Sequence, residues 1–456
     1  MSKRTLIIKW SVIAALTVVL VFFASLYNTV FNTRNTNSDA VTELDTSADT
    51  YTPYDSDKDK KTLTVFPKEA PIKNTPFFNY VQNLGGSNKD EIVGSLCIDN
   101  YYYIISESNS TDHDFDSDSP KCLTVSLIND KGTLKKVIVI SGNNPLLLDY
   151  AISRDGIIII YKDSNVKFLK LSVELNRINE KEFAFVGDTT SANVKIFENG
   201  IYLFTSSGTS LSAYLLDKNF NTVKSKQTMY SGQLAITAVF TMSNTFKIFL
   251  NVESSRSFIK LLEFDFNLET MAVKDLSDEF SGNVISVTPF LNDTQHYAML
   301  ITSSGGTYLK IYNSDMQCTN MNYICKEKSV VLINFNNTLL VLGNKTSVCC
   351  CLHGDVILRQ MPELNCFCSV TAYLIAEDKI CLLGLNDNRE AIVVSYSSEH
   401  TVTASINLGT ATPYTIIQTN TSVAILLNAA FSENVYNINY GNTDCYIMEI
   451  KNEILQ

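Results

Sequence analysis

The stretch from Ala192 to Tyr230 constrains this chain more than any other. It reads ANVKIFE, NGIYLFTSS, GTSLSAYLLDKNFN and TVKSKQTMY. Four short alternating runs punctuated by Asn, Gly and Ser predict a four-stranded antiparallel meander. Degenerate copies follow one another along the chain. Their central runs are YYYII at Tyr101, GIIIIY at Gly156, GIYLFT at Gly200, TFKIFL at Thr245, HYAMLI at His296, TLLVLG at Thr338, KICLLG at Lys379 and TSVAILL at Thr421. They recur at intervals of about 40 to 56 residues, the range of a four-stranded propeller repeat.

Each central run has strand-like neighbours, such as LLLDYAIS before GIIIIY and VKFLKLSVE after it. Inner strands that are nearly continuously apolar are buried on both faces, whereas an outermost strand that alternates has one wet face. Stacked sheets of this kind leave open edges unless they close radially. The chain is therefore expected to be all-β: an eight-bladed β-propeller of four-stranded antiparallel blades over 76–456, with seven blades as the alternative. The last unit supplies only three runs, and FFNYVQNLGG at Phe77 resembles a fourth strand without its first three. The segment 77–83 is thus expected to join the C-terminal blade and close the ring.

Ahead of this region the chain changes character. Lys3, Arg4 and Lys9 lie in the first nine residues, and 10–27 (WSVIAALTVVLVFFASLY) carries no charge. Eighteen residues at about 1.5 Å each give about 27 Å, close to a hydrocarbon core of about 30 Å. The run predicts an uncleaved transmembrane anchor with Trp10, Phe22, Phe23 and Tyr27 among its apolar residues. The basic 1–9 segment stays cytoplasmic and the C-terminal domain is exported across the cell membrane. A cleaved signal peptide is the competing reading, against which stands the absence of a small-x-small site after the run. Residues 28–75, rich in Thr, Ser, Asp and Asn, hold too few large apolar groups to offset chain entropy and predict a flexible tether.

The region 83–140 resembles a propeller repeat common in bacterial surface and secreted proteins. The shared features are Gly85-Gly86-Ser87 with Asp90, then Asp99-Asn100-Tyr101-Tyr102, the loop SESNSTDHDFDSDS and the run LTVSLINDKGTLKKVIVIS. LLDKNFN at Leu215 is a remnant in a later unit. Asn100 stands where that repeat has a glycine pair, and the tryptophan often found in its outer strands is missing. The resemblance implies a fold and an exported setting, and no catalytic residues.

The formal net charge of −11 excludes non-specific nucleic-acid binding, which needs an excess of Lys and Arg. Chemistry has few candidates. Asp112, Asp114, Asp116 and Asp118 alternate as carboxylates around calcium do, but Ser117 and Leu123 stand where an EF-hand loop needs Gly and Glu. A solvated acidic loop is the expected reading there, with calcium the possible cofactor. Cys349-Cys350-Cys351 with Cys366 and Cys368 form the densest thiol group. Cys349 and Cys351 are expected on one strand face, and Cys366 and Cys368 on the first strand of the next blade. Packing as small hydrophobes, a disulfide and a zinc site are the three readings. Cys318 and Cys325 are a further disulfide possibility.

The four histidines, His113, His296, His353 and His400, share no motif, and the only tryptophan is Trp10. The expected function is therefore a non-enzymatic binding or scaffolding module that meets a protein or polymer on a propeller face. A glycan or peptide hydrolase working at the central channel and an envelope assembly factor are the alternatives.

Overall fold

The computed structural model describes residues 62–65, 72–73 and 78–451. Within that span it leaves out 87, 111–120, 154, 184–188, 190, 243–244, 255–256, 277–282, 293, 304, 314, 327–329, 336–337, 344–345, 354, 377–378, 398–400, 420–421 and 431–442. For some strands, including 62–65, 72–73, 283–292 and 348–353, the description is of backbone alone. The expected anchor, with Trp10, Phe22, Phe23 and Tyr27, lies outside these residues. Among the described residues no helix is long and apolar enough to cross a membrane.

The described strands form eight antiparallel sheets with a four-stranded unit in each. Seven of these units are continuous stretches of chain, beginning at Asp90, Leu146, Ser191, Gln233, Asn283, Val331 and Ser369. The third is the meander itself: Ser191–Phe197, Gly200–Ser207, Ser210–Leu216 and Thr222–Met229, paired in that order.

The eighth sheet is assembled from both ends of the domain. Thr412–Gln418, Val423–Ala430 and Thr443–Ile450 supply three strands, and Phe78–Leu84 pairs antiparallel with the last of them, Phe78 opposite Ile450. Two more strands fall within the segment expected to be a featureless tether. Thr62–Val65 extends the outer edge of the first sheet, and Ile72–Lys73 extends the eighth by pairing with Phe78–Leu84. TLTV is β-branched enough to occupy an edge that would otherwise present unpaired backbone.

Alternation along the central strands shows why they are apolar on both faces. Tyr103 and Ile105 of the first sheet pack with Ile157 and Ile159 of the second. Ile158 and Ile160 turn the other way, onto Ile201 and Leu203 of the third. Tyr202 and Phe204 turn onward to Phe246 and Ile248 of the fourth. The series continues through four more cores. It ends with the eighth sheet packed against the first, where Ala424, Leu426 and Ile447 meet Tyr102, Ile104 and Val137. Eight sheets thus share eight cores, and the succession closes on itself.

Six hairpins share one device, five of them between third and fourth strands and one, at Asn386, between the second and third strands of the seventh sheet. Asn129, Ser172, Asp217, Asp265, Asn313 and Asn386 each accept the N–H groups two and four residues on with their side-chain oxygen. The residue three places on has positive φ: Gly132, Leu175, Phe220, Leu268, Met316 and Arg389. Non-glycine residues avoid this region because Cβ crowds the backbone. Here the conformation turns an apolar side chain inward. Leu175, Phe220, Leu268 and Met316 are buried in the core shared with the preceding sheet.

In the first sheet the position is Gly132, and Tyr80 of the closing strand occupies the space its side chain would need. A Cβ on Gly132 would lie 2.3 Å from Tyr80 Cδ2.

Candidate functional site

Propeller ligands are expected at the central channel or on the outside of the ring. The channel is walled by the first strand of each sheet. In the first, second, fourth, fifth, seventh and eighth sheets that strand carries a β-bulge at the same register, with Val93, Leu148, Thr237, Ile285, Thr371 and Tyr414 as the extra residues. A bulge leaves one residue unpaired and sharpens the local twist.

These bulges let side chains take the free strand edges facing the axis. Asp149 of the second sheet accepts Val194 N–H of the third at 2.6 Å through Oδ2, and Tyr150 N–H at 2.9 Å through Oδ1. Burial outweighs those two donors and pushes its carboxyl up to about 6. Tyr150 oxygen in turn accepts Ser95 N–H of the first sheet at 3.1 Å, and Tyr414 of the eighth sheet donates its hydroxyl to Tyr150. Tyr150 and Tyr414 therefore meet in front of the first sheet. Gly94 makes room for them, since a Cβ there would lie 2.8 Å from Tyr150 Cε1 and 3.1 Å from Leu147 Cδ2. Gly94→Val is expected to cost about 1–3 kcal/mol through overpacking. Tyr414→Phe, which removes only the bridging hydroxyl, should cost about 1 kcal/mol. Urea midpoints of the two variants check both values.

A cleft of about 330 Å³ lies off the axis between the first and second sheets, lined by Tyr101, Tyr103, Lys135, Lys136, Val173 and Glu174 among others. Lys136 donates to Asn176 Oδ1 at 2.8 Å, and burial lowers its ammonium from the ordinary lysine value. Its walls carry both signs of charge without a convergent set of donors.

The circumference is more distinctive. Among the other outer strands, Arg177–Phe183 of the second sheet reads RINEKEF, the first and eighth sheets carry fifth strands, and Val402–Gly409 of the seventh exposes Val402 as its one large apolar side chain. Three consecutive sheets differ. Val223 and Met229 on Thr222–Met229, Met271 and Val273 on Thr270–Asp275, and Met321 and Tyr323 on Cys318–Cys325 are 41–65 % exposed. They are six of the eleven large apolar side chains exposed among the described residues. Tyr323 is steadied from beneath by Tyr308, ring centroids 5.4 Å apart and edge to face. Lys224 and Lys226 beside this row reach Glu269 of the next sheet at 2.6 and 3.6 Å.

The thiols and carboxylates singled out in the sequence fall largely outside the described side chains. Asp112, Asp114, Asp116 and Asp118 lie outside the described residues. Cys349 and Cys351 are on the strand Thr346–His353, with only their backbone described. Cys366 and Cys368 are not on the following sheet's first strand as expected, because that strand begins at Ser369. Pro362 opens a 3-10 turn through Leu364, and Phe367, wholly buried in the core between the sixth and seventh sheets, anchors the connection. This leaves Cys366 exposed and Cys368 half-buried, both as free thiols.

A bond between Cys318 and Cys325 is ruled out by geometry. They begin and end one strand, so their Cα atoms are roughly 23 Å apart at about 3.3 Å per residue. A disulfide needs less than about 7 Å. Among the described residues no three His, Cys, Asp or Glu side chains are placed to hold a metal. The side chains of all four histidines fall outside them.

Successive four-stranded antiparallel sheets, packed face to face until the last meets the first, define this domain as a β-propeller. No protein-family model matches the chain, and no curated protein matches it. Among solved structures it is similar to Raptor from Chaetomium thermophilum, at 9 % identity and a TM-score of 0.43, over 81 % of this chain and 29 % of that one. It is similar to a puromycin hydrolase S511A mutant complexed with PGG at 8 % identity and 0.44, over 76 % and 59 %. The WD40 β-propeller domain of Doa1 is similar at 10 % identity and 0.39, over 68 % and 94 %. The chain thus spans less than two thirds of the first two proteins it resembles.

Proposed function

We propose that this protein is a non-enzymatic binding or scaffolding propeller, held at the cell membrane by residues 10–27, and that its partner contacts the outer strands of the third, fourth and fifth sheets. The observation that carries this reading is the exposed row from Val223 to Tyr323. Apolar side chains that gather on neighbouring elements, rather than scattering singly, mark interaction surfaces. The partner is a protein or polymer of the same compartment.

The test compares capture of envelope components by the wild-type chain and by Met229→Lys/Val273→Lys/Tyr323→Ser. All three side chains are already exposed, so the variant should keep its melting temperature within about 2 °C. Capture of a defined component should fall at least tenfold, equivalent to about 1.4 kcal/mol. Undiminished capture by a folded variant would remove the surface from consideration.

A further inference from the structure

The eight interfaces of the ring are not alike. That between the third and fourth sheets is a stack of aromatic rings: Phe197, Tyr202, Phe204, Phe246 and Phe266 have neighbouring centroids 4.7–5.8 Å apart. The joint between the eighth and first sheets is built differently. Thirteen of the 22 buried polar side chains among the described residues belong to those two sheets. They include every carboxylate in that class: Asp90 and Asp444, with no exposed surface, and Glu449 at 6 %.

Asp90 begins the first sheet. It accepts Ser108 Oγ at 2.5 Å on Oδ1, and Ser110 Oγ at 2.9 Å and Gly86 N–H at 2.8 Å on Oδ2. Asp444, from the eighth sheet's third strand, accepts Asn83 Nδ2 at 2.8 Å, and it lies so close to Gly85 that a Cβ there would fall 2.5 Å from its Oδ1. Further along the joint, Glu449 accepts Asn79 Nδ2 at 2.7 Å. Tyr102 and Ser422 hydroxyls, 2.6 Å apart, lie on the same side. Cys445 donates its thiol to Ser106 Oγ at 3.4 Å.

The charged and titratable groups facing this joint oppose ionisation. Asp444 and Asp90 repel each other, and Glu449 meets Tyr80, Tyr102 and the turn residue Asp130. Cys445 and Cys97 are thiols that burial holds protonated, Cys97 at about 12. The nearby cation, Lys89, is half-exposed and turned to Glu91 at 2.7 Å. Buried charge without a cation is unfavourable, and such a group prefers its neutral form.

Residues 85–89 carry the chain across this joint, from Phe78–Leu84 to Asp90–Ile98, while the eighth sheet behind it is closed by strand pairing alone. Phe78–Leu84 is held to Thr443–Ile450 by ladder hydrogen bonds between residues more than 350 apart in sequence.

We propose that the joint between the first and eighth sheets is a pH-gated clasp, the first interface of the ring to open, closed in mildly acid surroundings and loosened when Asp90 and Glu449 ionise inside it. Both groups sit above their ordinary values in the closed ring because burial disfavours their charge, Asp90 at about 6. A raised value in the closed state gives stability that is full below the open-state value near 4 and lost as pH rises through about 6. Two units correspond to a roughly hundredfold change in the opening constant. Asp149 titrates with the same sign at the second-to-third interface, so the readout has to be local.

Hydrogen exchange on the full chain, corrected for intrinsic rates, provides it. From pH 5 to pH 8 the amides of Phe78–Leu84 and Thr443–Ile450 are expected to lose 10- to 100-fold in protection, while those of Gly200–Ser207 change less than threefold. Asp90→Asn keeps an acceptor for Gly86 and Ser110 and a donor for Ser108, and should flatten most of that dependence. Glu449→Gln should flatten part of it, and decides the matter should Asp90→Asn fail to fold. Uniform loss of protection around the ring, or an unchanged pH dependence in both folded variants, would overturn the clasp.

Discussion

Gly132→Ala is expected to lower the stability of the propeller by about 3 kcal/mol, and Tyr80→Ala in the same chain to abolish most of that penalty. Gly132 has φ of +73°, where any Cβ costs about 1 kcal/mol. Its Cβ would also meet the ring of Tyr80 at 2.3–2.6 Å, adding an overpacking cost of about 1–3 kcal/mol. Tyr80→Ala alone removes a nearly fully buried aromatic side chain and should cost about 3–5 kcal/mol. With the ring gone, only the backbone cost of Gly132→Ala remains, so a double-mutant cycle should return a coupling of about 2 kcal/mol. Additive effects in urea unfolding would show that the two residues do not share that space. Tyr80→Phe is a useful control, because the hydroxyl is buried without a hydrogen-bond partner. Its removal should be neutral or slightly stabilising.

The second large effect is expected at Phe220. Its ring is fully buried and packs tilted against Phe168 of the preceding sheet, centroids 5.2 Å apart. Phe220→Ala should cost about 3–5 kcal/mol. Asp217→Ala, which removes the oxygen that holds the turn through Asn219 and Asn221 N–H at 2.9 and 2.7 Å, should cost only about 1–2 kcal/mol. Phe220 carries the cost of a left-handed backbone because that geometry delivers the ring to the core shared with the preceding sheet. A Phe220→Ala cost no larger than that of Asp217→Ala would mean the turn is held for its own sake.

Much of this fold is legible in the residues. GIIIIY and its counterparts are apolar at consecutive positions because each central strand is shared by two cores, and no helix period competes with that pattern. The orphan strand near Phe77 stands out because TSVAILLN and DCYIMEIKN leave the last sheet one strand short. The turn Asp217–Asn221 was visible as LLDKNFN, yet a string of letters does not say that its phenylalanine points backwards into the neighbouring core. Bulges are harder still. One extra residue in LLLDYAIS leaves the apolar content unchanged while redirecting Asp149 and Tyr150 towards the axis.

The strands Thr62–Val65 and Ile72–Lys73 escaped notice for a different reason. They lie in polar surroundings, and their stabilisation comes from edges that other segments provide. The exposed row at Val223, Val273 and Tyr323 is also hidden in sequence, because alternation predicts one wet face without saying that three such faces are adjacent. Cys366 and Cys368 were misplaced because the apolar run continues past the point where Pro362 breaks the strand rhythm.

Phe78 lies directly opposite Ile450 in the eighth sheet. Neighbouring antiparallel strands whose ends face each other can be joined by a hairpin of two to five residues. A chain rewired this way, with Ile450 running through a short Asn-Gly turn into Phe78 and new ends cut at the exposed Asn199 turn or at another hairpin, would have the same sheets in a rotated gene order. Starting and stopping inside one sheet makes the ring circularly permutable. The particular blade that carries the cut is then a matter of genetic history.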